Sequence, residues 1–151
     1  MVTGAGGMSL ISRLGWMVVL GVSALLALYG VFWFFVGPQM GLENIAERTS
    51  LAQDEFRAGS PSAFDVITIV TRQGAAFGAA LGALAFAVGW QGYRQEARWA
   101  WWASWATPLA IAVAGLGFVS AAGAAPQAIG YLGLAGILAL ALLGARTSWT
   151  G

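Results

Sequence analysis

Residues 14–36 read LGWMVVLGVSALLALYGVFWFFV. The stretch carries no charged side chain and exceeds the roughly 20 apolar residues that a helix needs to cross hydrocarbon. It ends at Gly37-Pro38, where a residue that cannot continue the backbone hydrogen bonding predicts the end of the helix. Arg13 precedes the run, so a cleaved secretory signal is the competing reading. The run is too long for a signal core and too aromatic near its end (Phe32, Trp33, Phe34, Phe35). No small-x-small cleavage site follows directly. An uncleaved helix is expected.

Three further apolar stretches lie downstream: 66–90 with Arg72 inside it, 100–119 with Pro108 inside it, and 129–143. The last is short and is expected to stand upright or end in locally thinned bilayer. Small residues from Ser120 to Gly123, with Pro126, separate the third from the fourth. Hydrophobic residues make up 59% of the chain and charged residues 9%, and the mean hydropathy is +0.76. A soluble domain carries about a quarter charged residues, so this chain cannot cover a water-facing surface of its size. The expectation is an all-α integral membrane protein: one domain over 1–151, a four-helix bundle with a long outer loop, 37–65.

The absence of Cys and His excludes thiol–disulfide exchange, Cys- or His-ligated metals and Ser-His-Asp catalysis. A net charge of +1 without a basic run excludes a nucleic-acid partner. If the helices alternate in direction, Arg13, Arg94, Arg98 and Arg146 fall on one side. The loop with Glu43, Glu47, Asp54, Glu55 and Asp65, against Arg48 and Arg57, falls on the other. The positive-inside rule then makes both termini cytoplasmic and turns the acidic loop outward.

The loop carries helical signals of its own. Ser50-x-x-Gln53 reads as a capping box and Gly59 as the residue closing a helix. Leu42, Ile45 and Ala46 share a helical face opposite Glu43 and Glu47. Two short helices on the outer membrane surface fit this pattern, with a plain loop as the alternative. Ser62-x-x-Asp65 after Pro61 is a second capping box, which starts the second long helix near residue 63 and runs it to about Tyr93.

Four features carry the functional reading. Gly74, Gly78 and Gly82, flanked by Ala75, Ala79 and Ala83, form a stripe of small residues four apart, which lets helix backbones approach closely. Packing within the chain or against another subunit both fit it. Gly130, Gly133 and Gly136 offer a matching groove on the last span. Trp90, Tyr93, Trp99, Trp101, Trp102 and Trp105 gather near the inner interface and Phe32 to Phe35 near the outer one. An aromatic belt explains both; an aromatic-lined site for a quinone, pigment or lipid is the alternative, with Trp105 as its best candidate. Arg72, inside the second span, needs its own explanation. A charge there costs several kcal/mol unless it is paired or snorkels, and such residues mark sites by default. Asp65 lies two turns earlier on the same face, Thr68 lies between, and Gln73 adds a neighbouring polar group.

The layout resembles the DoxX-like group of small four-helix bacterial membrane proteins. It is carried by a first span, a long outer connection, Asp65…Arg72-x-Gly74…Gly78…Gly82 opening the second span, and a short turn bearing Arg94 and Arg98. The resemblance implies a bacterial inner membrane, an Arg72 near a ligand or partner, and for some members a link to quinone-dependent redox complexes. This chain departs from such chemistry in having neither thiol nor imidazole. The expected function is a non-catalytic accessory subunit that packs beside a larger membrane complex or self-associates, surrounded by lipid. The alternative is a quinone- or lipid-binding protein or enzyme subunit using Arg72, Asp65, Gln73 and Trp105.

Overall fold

The computed structural model describes residues 9–49, 53–119 and 125–146. All elements among them are helical: α1 (Leu10–Thr49), α2 (Gln53–Gly59), α3 (Pro61–Gln95), α4 (Arg98–Ser104), α5 (Ala106–Val119) and α6 (Ala125–Ala145). Three stretches are long and apolar enough to cross a membrane: Leu10–Glu43, Pro61–Gln95 and Pro126–Ala145.

The helix boundaries follow local chemistry. α1 is capped by Ser9, whose Oγ accepts the Ser12 N–H at 3.2 Å, while its carbonyl accepts the Arg13 N–H at 3.0 Å. The helix does not stop at Gly37-Pro38. Pro38 lies inside α1, which continues to Thr49, so the segment around Leu42 expected as a separate surface helix is the end of α1. Proline removes one main-chain bond, here to Phe34, and α1 carries the proline within it without ending. The side chains of Ile45, Ala46 and Glu47 lie outside the described residues, as does Ser50 with its expected cap. Gly59, expected as the left-handed residue closing the helix, is instead the last helical residue of α2 and has no positive φ.

α3 begins at Pro61 rather than near 63. Proline suits the first helical position, because its missing N–H has no partner there anyway. The Ser60 carbonyl accepts the Phe64 N–H at 3.1 Å, so Ser60 holds the boundary position expected for Ser62. α3 closes at Gln95, and Glu96, with φ 50°, turns the chain into α4.

The third apolar stretch departs most from expectation. It is broken at Trp105 into α4 and α5, neither of which reaches the roughly 20 residues a crossing needs. Pro108 accounts for the break. It has no N–H for the Ser104 carbonyl and its ring crowds that carbonyl. The chain closes one tight turn, Trp105 N–H to Trp102 carbonyl at 3.2 Å, and restarts at Ala106, placing Pro108 harmlessly in the first turn. The fourth stretch is longer than expected, since α6 covers Ala125–Ala145.

The chain divides into two compact units, Met1–Ser23 with Leu84–Gly151, and Ala24–Ala83. In the first unit, α1 meets α3 through small residues. Gly92 lies under the Trp16 indole, and a Cβ at Gly89 would meet Val19 and Leu20 at 3.4 and 3.3 Å. α1 meets α6 where Gly15 lies against Ala141 and Ala145, and there the buried Ser12 hydroxyl donates to the Ala145 carbonyl at 2.9 Å. The Trp101 indole N–H donates to the Leu142 carbonyl at 2.6 Å, tying α4 to α6. α5 packs on α6 at Gly115, where a Cβ would lie 2.9 Å from Tyr131 Cβ. The buried residues of α6, Ala128, Ala135, Leu138, Leu142 and Ala145, follow one another at seven, three, four and three residues, the spacing of a helix packed along one stripe.

In the second unit the closest approach is at Gly30, which lies on the α3 backbone between Ala75 and Ala79. Gly37 receives the Trp33 indole and the Thr71 methyl group. Outside these seams the helices present apolar side chains. Only 17%, 22% and 28% of the most apolar windows of the three long helices are buried, far short of a soluble core. Phe77, Ile129 and Leu140 are each more than two-thirds exposed.

Candidate functional site

Arg72, Asp65 and Gln73 all belong to the second unit, and Trp105 to the first. Arg72 is exposed on α3, one residue after Thr71, whose methyl faces Gly37. Its guanidinium lies over the Phe34 ring, 5.8 Å from the centroid. Phe34 is one turn before Pro38 on α1, so the helix that provides the platform is also the one whose hydrogen bonding the proline interrupts. An arginine on a phenyl face is held by the ring quadrupole and keeps its N–H donors available. Among the described residues Arg72 makes no ion pair with Asp65, although both are exposed on α3. Thr68, between them, buries its hydroxyl without a partner. Gln73 is exposed and turned away from the Gly30 seam.

A second arginine of this unit is held the same way, with Arg57 of α2 over the Phe64 ring at 4.7 Å. Sequence reading did not pair either arginine with its ring. Each pair links two different helices, and no spacing within one helix reveals it.

Trp105 sits at the break between α4 and α5. Its ring meets Trp101 edge-on at 5.8 Å, and its indole N–H is buried without a hydrogen-bond partner. Trp101 is 3% exposed and bonded to Leu142, so it braces the fold. Trp99 and Trp102 are exposed.

The small-residue stripe is divided. A Cβ at Gly74 or Gly78 would meet nothing within 4 Å, while Gly82 is buried. Contact with α1 runs through Ala75 and Ala79, adjacent in register to the glycines. Gly130, Gly133 and Gly136 of α6 are likewise open. No protein-family model, curated protein or solved structure matches the chain. The likeness in layout to the DoxX-like group therefore carries no family assignment, and what the described residues define is an all-helical fold with three helices long and apolar enough to span a membrane.

Proposed function

We propose that the chain is an integral membrane protein that crosses the bilayer four times, α4 and α5 together making the third crossing around the Trp105 break. In this reading it is a non-catalytic subunit, packed beside a larger membrane complex or against copies of itself, with both termini cytoplasmic. The observation that carries the reading is the large apolar surface left outward on the three long helices. Hydrocarbon is the solvent that accepts it, and the open faces at Gly74, Gly78 and Gly130 let a neighbouring helix approach closely. The residue inventory supports it from the other side, since neither Cys nor His is present for acid–base or nucleophilic work.

A second reading has one observation in its favour. The Trp105 N–H is a buried donor without an acceptor, which a carbonyl-bearing amphiphile such as a quinone or lipid would satisfy. Mild detergent extraction, followed by mass spectrometry of co-purifying species, separates the two. A large protein in fixed stoichiometry is expected. A bound small molecule with no protein partner would replace the first reading with the second.

A further inference from the structure

Resting on the membrane reading above, we infer that the end of the first unit where α1 begins and α6 ends is a binding surface for the headgroups of anionic phospholipids. The packing register brings its residues together. Trp16 meets Gly92, and Val19 and Leu20 meet Gly89, so α1 and α3 run antiparallel and Arg94 lies toward the start of α1. Ser12 bonds to Ala145, which brings Arg13 and Arg146 to the same end. Trp101 bonds to Leu142, which brings α4, beginning at Arg98, to it as well.

The charges of the described residues in this unit are Arg13, Arg94, Arg98 and Arg146 against Glu96 alone. All four arginines are exposed, and among the described residues none pairs with a carboxylate. Two are parked on indole faces, Arg94 over Trp90 at 5.6 Å and Arg146 over Trp101 at 5.8 Å. This geometry orders the guanidinium and leaves its fork of donors open to a phosphate. The Trp101 platform is itself fixed by its bond to Leu142. Beside it, Trp102 stands 69% exposed and Trp99 57%, and Trp rings settle at headgroup level. Complementing the carbonyl ends of α3 and α6 accounts for Arg94 and Arg146 but not for Arg13 and Arg98, which flank helix starts. Unpaired guanidiniums beside exposed indoles match a phosphate at the hydrocarbon boundary.

The test reconstitutes the full chain in nanodiscs containing equal amounts of phosphatidylglycerol and phosphatidylcholine. Lipids retained on release are counted by native mass spectrometry. Phosphatidylglycerol is expected to be enriched on the parent chain. Arg13→Gln with Arg146→Gln should cut the enrichment by roughly tenfold or more, at about 1 kcal/mol for each of the two basic residues near an anionic surface. Arg57→Gln, in the other unit, should leave it unchanged. Equal retention of both lipids by the inserted parent chain would overturn the inference while leaving the membrane reading intact. Failure of the parent to enter the nanodisc would overturn both. Loss of enrichment on adding inorganic phosphate would also overturn the lipid assignment, since a free anion would then suffice.

Discussion

Gly30 lies so close to Ala75 that a Cβ built on the glycine would stand 2.7 Å from the alanine's carbonyl oxygen. The atom that would have to move is main chain, held in the hydrogen-bond ladder of α3, and it has no rotamer in which to yield. Gly30→Ala should therefore force the helices apart, at the roughly 1–3 kcal/mol typical of overpacking. Gly74→Ala adds the same methyl group where nothing lies within 4 Å and should leave stability unchanged or slightly raised, because alanine is the better helix former. Thermal melting in detergent compares the two. Equal melting temperatures would mean that α1 and α3 do not meet at Gly30.

Trp101 supports a second test. Its indole donates at 2.6 Å to the Leu142 carbonyl, 41 residues away in sequence. Trp101→Phe keeps an aromatic ring for the Arg146 contact but removes the donor. Single buried hydrogen bonds contribute about 1 kcal/mol in water-soluble proteins and average about 0.6 kcal/mol between membrane helices. A drop of a few degrees in melting temperature is expected, and none for Trp102→Phe, which is exposed. If Trp102→Phe proved the more damaging, Trp101 would not be the brace between α4 and α6.

These two sites also mark what the sequence makes legible. Apolar length announces helices, so α1, α3 and α6 are readable. A run of tryptophans does not reveal which ring faces inward, and Trp101 and Trp102 differ only in which side of a short helix they occupy. Prolines mislead in both directions. Pro38 looks like an end and is carried through inside α1, while Pro108 looks internal and falls in the first turn of a helix that restarts at Ala106. The glycine stripe names the right helix, yet contact with Gly30 passes through Ala75 and Ala79, because the choice of face depends on the partner helix. Arg72 stands out in sequence as a lone charge, but its neighbour Phe34 comes from another helix and is invisible to any local pattern.

Topology is tested with cysteines placed at the two ends of α3 in this cysteine-free chain. Ser60→Cys and Gln95→Cys, each alone, are exposed to an impermeant thiol reagent in intact cells. Labelling at 60 and none at 95 is expected, from the arginine distribution. The opposite pattern would invert the protein in the membrane. Labelling at both positions would mean that α3 does not cross.

Arg72 is the residue on which the site hypothesis turns. Its guanidinium rests over Phe34 at 5.8 Å and is exposed, and two roles remain distinguishable. As a strut, it needs only a long stem and a positive end near an aromatic face, which lysine also supplies. As a clamp on a carboxylate, a phosphate or a quinone oxygen, it needs the planar fork, which lysine lacks. Arg72→Ala, Arg72→Lys and Phe34→Leu are compared for melting temperature and for retention of the co-purifying species. A strut predicts that Lys matches the parent, while Ala and Phe34→Leu each lose a similar small amount, about 0.5–1 kcal/mol for an exposed cation–π contact. That corresponds to a few degrees at most in a chain of this length. A clamp predicts that Lys and Ala lose the bound species alike, with melting nearly unchanged. Asp65→Asn should be silent in either case, because the two side chains are not paired in the fold. A strong effect there would show that the arginine reaches back to the carboxylate in the membrane and leaves the ring. An Arg72→Ala protein that melts like the parent and keeps its bound species would exclude both roles.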